Sequence, residues 1–250
     1  MSIKYRWVLT GFGFTIYLLS LLMSMPAQQL LGRVHLPGVQ WGDAKGTILM
    51  GQLNQVRWQG WQLQSVRWQW HPWALFLGHV SLHLQFEGDL NGQTDVRASP
   101  WQLTLRDLHL SGQAQRFYQA ANIPLPIQLS GTVQLHIQQF RSGQPWCQVL
   151  SGSLHWSQGI FRSPLGALHF APFKAQLSCQ NGQIVAHLNH HDKVLSLWAN
   201  ASLKASQWQL QGTLKPEADY PKSYSQVLPQ LGAPDAKGNY AFSSSGRLSD

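Results

Sequence analysis

Apolar and polar residues alternate one by one along most of this 250-residue chain. Segment 80–86 (VSLHLQF) is the clearest case, and segments 66–70 (VRWQW) and 132–138 (TVQLHIQ) follow the same pattern. Successive side chains of a β-strand point to opposite faces, so this alternation predicts strands with one buried and one solvated face. Sheets of that kind are normally antiparallel, since parallel sheets are covered on both sides. We therefore predict a mainly β fold, an extended, twisted antiparallel sheet shaped as a half-open roll or groove.

A short glycine motif recurs next to the alternating segments, and we interpret each glycine as opening a strand from a turn or bulge. It occurs as Gly46-Thr-Ile, Gly131-Thr-Val, Gly152-Ser-Leu, Gly212-Thr-Leu and Gly246-Arg-Leu. The irregular spacing excludes a solenoid repeat and favours a long meander of hairpins. Two short helices are expected, at residues 113–121 and 220–231, the second closed by Gly232.

Residues 7–25 form an uncharged apolar run preceded by Lys4 and Arg6. As a helix this run is about 28 Å long, close to the thickness of a bilayer's hydrocarbon core. The two basic residues predict a cytoplasmic N-terminus with the remaining chain on the far side of the membrane. A cleaved signal peptide is the alternative, but its apolar region is normally shorter, about 7–15 residues. Both interpretations place the bulk of the chain outside the cytoplasm.

The charged residues are few and scattered, since only 11% of the chain is Asp, Glu, Lys or Arg and the net charge is +8. Nucleic-acid-binding proteins concentrate positive charge on one face or helix, so we exclude that class of partner. The two cysteines, Cys147 and Cys179, lie in the exported part, where an oxidising compartment favours a disulfide. A redox or metal-binding pair is the weaker alternative, because the C-x-x-C spacing is absent.

Twelve tryptophans are many for this length, and five of them lie close together in the sequence. These five are Trp58, Trp61, Trp68, Trp70 and Trp73. They either fill one face of the sheet or form an apolar surface that contacts a partner or lipid. Counting along the chain places Trp58 and Trp61 on opposite faces, which favours a surface left partly open.

The sequence contains no catalytic signature, so we predict a protein that is not an enzyme and has no cofactor. Four acidic residues fall in apparent turns, namely Asp89, Asp95, Asp107 and Asp235. One candidate metal cluster consists of His187, His190, His191 and Asp192. Its position at the end of a strand favours a solvated turn over a metal site. Four other histidines alternate with apolar residues and are expected on the solvent-facing side, namely His83, His109, His136 and His155.

The order of these features resembles the type II secretion system protein N family, also called general secretion pathway protein N. Segment 67–78 (RWQWHPWALFLG) is similar to that family's tryptophan strand, proline turn and leucine run. The spaced pair Cys147 and Cys179 also fits the family, as does the ending at residues 231–248. The resemblance covers essentially the whole chain.

The resemblance implies a non-enzymatic accessory subunit of the machine that moves folded proteins from the periplasm across the outer membrane. Such a subunit would sit in the inner membrane of a Gram-negative cell and bind or assemble other machine proteins. The expected organisation is a cytoplasmic N-terminus (1–6), a transmembrane anchor (7–25), a linker (26–40) and two β-rich periplasmic halves (41–122 and 123–250). The alternative is a lipid-transfer bridge, in which the tryptophans and alternating leucines line a groove for acyl chains.

Overall fold

The structure, a computed structural model, describes residues 26–28, 37–120 and 126–247. Within these residues the chain forms one antiparallel sheet of 15 strands. The strands are β1 (Val39–Gln40), β2 (Ala44–Gly46), β3 (Met50–Trp58), β4 (Trp61–Trp70), β5 (Val80–Gly88), β6 (Leu90–Ser99), β7 (Gln102–Gln113), β8 (Gln128–Ser142), β9 (Cys147–Ser163), β10 (Gly166–His169), β11 (Phe173–Gln180), β12 (Gln183–His191), β13 (Leu195–Lys204), β14 (Gln207–Pro216) and β15 (Tyr240–Arg247). The predicted mainly β, antiparallel fold is confirmed.

Helical structure is confined to short segments of the connections. Helix α1 spans Ala114–Ala120, and α2 spans Lys222–Ser225. Two 3-10 helices span Pro72–Leu77 and Leu228–Leu231. The first predicted helix is confirmed, and the second is divided into α2 and the later 3-10 helix, with Pro229 in the second piece. The predicted anchor, 7–25, lies outside the described residues, and no helix among those residues is long and apolar enough to cross a membrane.

The strands follow one another as an open meander from β3 to β15, with neighbours in sequence paired in space. The short strands β1 and β2 both pair with β3, and β10 pairs with β9 beside β11. Strand β7 pairs with β8 along nine registered positions, so residues before and after the undescribed 121–125 contribute to one sheet. At the far end, β15 pairs only with β14 among the described residues.

One face of this sheet is apolar along its whole length. A line of directly opposed residues crosses every strand except β1 and β10, and each member is apolar or glycine. This apolar row is Ala44, Leu53, Val66, Phe86, Gly92, Leu110, Leu135, Leu154, Ala175, Leu188, Ala199, Gly212 and Phe242. Directly opposed residues share a face, so the row defines a continuous apolar face.

The opposite face is polar to the same extent. The residues that neighbour the apolar row form a second line of opposed partners, and every one of them is polar. This polar row is Lys45, Gln52, Arg67, Gln85, Gln93, His109, His136, Ser153, Gln176, His187, Asn200, Gln211 and Ser243. The two rows show that the alternation predicted strand by strand is held in register across the sheet.

Four of the five recurrent glycines lie inside strands and Gly46 is the last residue of β2, so their predicted role at strand starts is wrong for most of them. Gly152, Gly212 and Gly246 are interior residues of β9, β14 and β15 with ordinary backbone angles. Gly131 does provide a bulge: it has φ of 101°, next to a register shift opposite Gln158. The sequence motif therefore combines two different structural roles.

Four glycines inside strands lie under an aromatic ring of the directly opposed residue on the apolar face. The pairs are Gly51 with Trp68, Gly92 with Phe86, Gly212 with Phe242, and Gly246 with Trp208. A Cβ on Gly51 would come within 2.3 Å of the Trp68 ring, and one on Gly212 within 2.6 Å of Phe242. These glycines let bulky rings lie flat across the neighbouring strand.

Candidate functional site, an apolar face between two unlike rims

Over its C-terminal strands the apolar face is covered by a long connection of the chain. Chain segment 217–239 folds back there, and Tyr224 of α2 and Leu228 are buried with exposures of 5% each. The Tyr224 hydroxyl donates a hydrogen bond to the carbonyl of Gly166 at 2.9 Å and accepts one from Ser163 at 2.8 Å. These bonds attach α2 to the end of β9 and the start of β10. We call segment 217–239 the cap.

Beneath the cap lies a cavity of about 910 Å³. Its walls are formed almost entirely by Leu, Ala and aromatic side chains of β9–β14, with Leu197, Ala199 and Leu210 on its floor and Tyr224 and Val227 from the cap. Tyr118 of α1 and Leu129 line its other end. A space whose lining surface is almost entirely apolar suits an apolar ligand.

A column of stacked rings borders this cavity. The Phe173 ring stacks between Trp156, at a centroid distance of 5.5 Å, and His190, at 4.0 Å. Nε2 of His190 lies 3.0 Å from Oδ2 of Asp192. The buried imidazole thus packs as an aromatic ring beside a carboxylate.

Asp192 is held by the backbone of the turn that it begins. Its Oδ1 accepts hydrogen bonds from the amides of Val194 and Leu195, both at 2.8 Å, and its Oδ2 accepts one from Ala171 at 3.1 Å. Burial alone raises the pKa of Asp192, but these backbone hydrogen bonds and the His190 ring outweigh it. The net result is a pKa below the usual value, so the carboxylate is ionised and structural.

The predicted metal cluster is divided between the two faces. His187 and His191 lie on the polar face, exposed, whereas His190 is 5% exposed on the apolar face. The expected solvated turn is therefore wrong for His190, because strand alternation continues through His191 and points His190 inward. In the parts of the chain that the structure describes, no group of three metal-binding side chains converges.

The other four histidines lie on the polar face, as predicted. Nδ1 of His83 is 2.7 Å from a carboxylate oxygen of Asp95, and the rings of His109 and His136 stack at 4.1 Å. Asp95 and Asp107 lie within β6 and β7, so their predicted placement in turns is wrong, whereas Asp89 and Asp235 do lie in turns. The Asp95 assignment failed because a polar-face carboxylate looks the same in sequence as a turn carboxylate.

The five neighbouring tryptophans do not form one patch. Trp58 and Trp61 face each other directly across the turn Gln59–Gly60, so they share a face. The expectation of opposite faces is wrong because the chain reverses at this turn, and period-two counting does not carry across it. Trp61 packs edge-on against Phe117 of α1, at 5.2 Å.

Trp68 and Trp70 lie toward the other end of β4, about 23–30 Å from Trp61 at 3.3 Å per residue, and Trp73 follows in the 3-10 helix. Trp68 donates its indole hydrogen bond to the carbonyl of Ile48 at 2.8 Å, and Trp70 is half-buried opposite Leu82. Trp73, in the 3-10 helix, is 78% exposed. Only Trp58 and Trp73 of the five are strongly exposed, and they lie at opposite ends of the β3–β4 hairpin.

The alternate turns of the meander form two rims with different chemistry. The carboxylate rim consists of the connections at 59–60, 89, 114–120, 164–165, 192–194 and 217–239, and it carries Asp89, Asp192, Glu217, Asp219 and Asp235. The tryptophan rim consists of the connections at 47–49, 71–79, 100–101, 143–146, 181–182 and 205–206, and none of these described turns contains an acidic residue.

Large apolar side chains are exposed along the tryptophan rim. Trp101 is 92% exposed, Phe76 is 84% and Leu77 is 77%. The sequence analysis missed these residues, although an aromatic in a two-residue turn, as in Pro100-Trp101, is a readable signal because hairpin turns favour Gly, Asn and Asp. Trp146 belongs to the same rim, and its indole donates a hydrogen bond to the Ala205 carbonyl at 2.7 Å, which connects the turns at 143–146 and 205–206.

The disulfide is formed as predicted, between Cys147 at the start of β9 and Cys179 near the end of β11. The two strands are neighbours, and both cysteines lie near the tryptophan rim. Cys147 is 2% exposed. The bond therefore ties together the part of the sheet that the cap also covers.

Comparison with known proteins assigns the chain to a family. The family model described as "Type II secretion system (T2SS), protein N" matches residues 37–243. The type II secretion system protein N of Vibrio cholerae serotype O1 is 32% identical, over 95% of this chain and 98% of the relative. The protein of the same name from Aeromonas hydrophila is 30% identical, over 98% of this chain and 100% of the relative. No solved structure gives a significant match. The family model matches most of the chain, and both relatives are at least 30% identical to it over nearly its whole length. The chain therefore belongs to the type II secretion system protein N family and is a component of that secretion system.

Proposed function

We propose that this chain is a non-enzymatic, inner-membrane-anchored subunit of the type II secretion system that docks another machine protein at the free edge of its sheet. Residues 7–25 supply the anchor and the sheet lies in the periplasm. The observation that carries the docking role is the outer edge of β15, which pairs with no further strand among the residues that the structure describes. Its partner is an extended segment of another secretion component, bound by strand addition.

The two ends of the sheet differ in their suitability for strand addition. At the N-terminal end, β1 has two residues and β2 has three, so the edge is broken into short pieces. At the other end, β15 runs for eight residues, with Ser243, Ser244 and Ser245 exposed and Arg247 as its one charged residue. Natural edges are usually protected by charge, proline or shortness, and β15 has little of this protection.

In-cell photo-crosslinking tests this role directly. A photoreactive amino acid at Ser243 or Ser245 is expected to form adducts with a secretion-machine protein, whereas the same group at Gln40 of β1, on the opposite edge, is not. Adducts at Gln40 alone, or none at either edge, would contradict docking at β15. Unchanged secretion of folded exoproteins after deletion of the gene would remove the functional part of the proposal.

A second candidate function, acyl-chain binding, is favoured by the apolar cavity under the cap. Each CH₂ group that it buries would contribute about 0.8 kcal/mol. The experiment is mass spectrometry of lipids that co-purify with the mildly extracted protein. Ala199→Trp places a ring on the cavity floor and is expected to remove bound lipid, whereas Ala241→Trp, on the polar face of β15, is the matched control. Equal lipid in both variants, or none in the unmodified protein, would exclude this candidate.

A further inference from the structure

The entry point of the folded chain lies on the tryptophan rim. Pro26, the residue directly after the apolar run 7–25, forms an isolated antiparallel bridge with Thr47 in the turn between β2 and β3. Ala27 beside it is 2% exposed. In the same turn, the Ile48 carbonyl accepts a hydrogen bond from the Trp68 indole. If residues 7–25 span the inner membrane, the tryptophan rim is therefore the edge of the sheet that begins at the bilayer surface.

The exposed side chains on this rim have the composition of a membrane interface. The first turn after the entry point presents the 3-10 helix, in which Ala74 is buried while Trp73, Phe76 and Leu77 project outward. The next turn on the same rim presents Trp101. At a membrane surface, tryptophan and other large apolar side chains lie among the headgroups and the first carbons of the acyl chains.

The charges near the rim have the sign that anionic lipids require. Lys45, Arg97, Arg141, Lys204 and Arg247 lie at strand ends adjoining the rim, on the polar face. No carboxylate lies in any of its described turns, whereas five lie in the turns of the carboxylate rim. Basic residues beside exposed apolar groups strengthen attachment to an anionic surface, because they are attracted to the headgroups while the rings enter the interface.

Neighbouring turns of the rim are also connected to each other. The Leu103 amide donates to the Ser142 hydroxyl at 2.8 Å, and Gln102 donates to Gln148 at 3.0 Å, which joins the turns at 100–101 and 143–146. The Trp146 amide donates to Gly182 at 3.1 Å, joining the next turn. Connected turns present their side chains together, as binding to an extended surface requires.

We propose that the tryptophan rim lies on the anionic surface of the bilayer that anchors the chain, with Trp73, Phe76 and Trp101 inserted at the interface. This attachment holds the sheet by a second contact besides the anchor. The carboxylate rim and the free edge of β15 then remain in the aqueous compartment. The inference rests on the proposed anchor at 7–25 and goes beyond it by assigning a lipid contact to the folded sheet.

Site-directed spin labelling of the full chain in vesicles tests the proposal. Both native cysteines are in the disulfide, so a label attaches only at an introduced cysteine. Labels at Phe76→Cys and Trp101→Cys are compared with matched labels at the exposed Leu165→Cys and Leu231→Cys on the carboxylate rim. The measured quantity is the collision rate of each label with oxygen, relative to that with a water-soluble nickel chelate.

In vesicles of phosphatidylcholine mixed with phosphatidylglycerol, this ratio is expected to be several-fold higher at positions 76 and 101 than at 165 and 231. The difference should shrink in phosphatidylcholine alone, because the basic residues then lose their partners. Equal ratios at all four positions in both lipids would overturn the proposal. A second result would also overturn the proposal. If the labels at 76 and 101 stay exposed to water in vesicles, and photo-crosslinkers at the same positions form protein adducts in cells, the rim is a protein interface.

Failure of the anchor gives a different result from failure of the rim contact. A chain without a transmembrane anchor is released from vesicles by alkaline carbonate, whatever the labels show before the wash. A chain that resists the wash while its labels at 76 and 101 stay aqueous retains the anchor and refutes the rim contact.

Discussion

The C-terminal strands β9–β14 and the N-terminal strands β3–β8 present the same alternating pattern but cover their apolar face to different extents. In β9–β14 the face carries the cap, the disulfide and most of the buried apolar residues, including Leu168, Phe173 and Leu195. In β3–β8 the members of the apolar row are all half-exposed. Alternation thus specifies which face is apolar, but covering that face requires a separate chain segment.

This difference predicts that the stability of the sheet is concentrated in β9–β14, while β3–β8 keep an apolar surface available for a ligand or partner. Each prediction below perturbs one of the two regions and asks whether the other one responds.

Removing the disulfide should have the largest effect. Replacing Cys147 and Cys179 with Ser is expected to lower the free energy of unfolding by about 3–4 kcal/mol, because the reduced chain regains the entropy of a loop of 32 residues. Denaturant titration of the full chain in detergent measures the loss. Hydrogen exchange should locate it in β9–β12, and equal loss of protection in β3–β7 would contradict the separation of the two regions.

Truncating leucines in the two regions should have unequal effects. Leu195→Ala removes a side chain that is 4% exposed under the cap, and it is expected to cost about 3 kcal/mol through lost burial and a new cavity. Leu110→Ala removes a half-exposed member of the apolar row and should cost about 1 kcal/mol. Denaturant titration of the two variants compares them directly. Equal costs would show that β3–β8 bury their face as fully as β9–β14.

Detaching the cap from the sheet should have a smaller effect. Tyr224→Phe keeps the ring packed against Phe161 but removes the hydroxyl that bonds Gly166 and Ser163. The expected loss is about 1–2 kcal/mol, since the Gly166 carbonyl loses its donor. Faster hydrogen exchange in the cap should accompany it. Ser163→Ala is the control that removes one bond and keeps the other, and a loss larger than that of Tyr224→Phe would assign the attachment to Ser163.

The sequence predicted the elements of the fold better than their alignment. The alternation at 80–86 and 132–138 identified strands and their polar faces, and the cysteine spacing identified the disulfide, because both depend on local pattern or compartment. The apolar row could not be read in advance, because it depends on turn lengths and on bulges at Asp107 and Gln158, which take positive φ without being glycine. Each bulge shifts the pairing by one residue, which reverses the faces beyond it.

Only part of the candidate site could be predicted from the sequence, for the same reason. The five clustered tryptophans drew attention by their number, but β4 separates them between the two rims. Trp101 and Phe76 are the most exposed aromatic residues on the tryptophan rim, and neither belongs to that set. Phe76 lies three residues after its last member, Trp73. Their importance becomes visible only when alternate turns of the meander are placed on one edge, which requires the strand order.

The smallest predicted effect is a pH dependence confined to the C-terminal region. The pKa of Asp192 is lower in the folded state than its usual value near 3.8. A group with a lowered folded pKa stabilises the protein above its unfolded pKa, and that contribution is lost as pH falls through the folded value. Asp192 should therefore stabilise the turn between β12 and β13 at neutral pH, and this contribution should begin to fall once the pH drops below about 4, the ordinary pKa of an aspartate.

Asp192→Asn tests this sign, because asparagine does not titrate and fills nearly the same volume. The unmodified protein should be more stable than the variant at pH 7, and the difference should shrink as the pH falls below about 4. Hydrogen exchange of the Val194 and Leu195 amides, which donate to Asp192, reports the local change. Asp235→Asn is the matched control: its carboxylate pKa is also lowered, by Asn239 and Lys237, but it lies exposed in a turn of the cap and not between β12 and β13. A difference that stays constant with pH at Asp192 would show that its hydrogen bonds matter without its charge, and a larger effect at Asp235 would place the acid-sensitive contact in the cap.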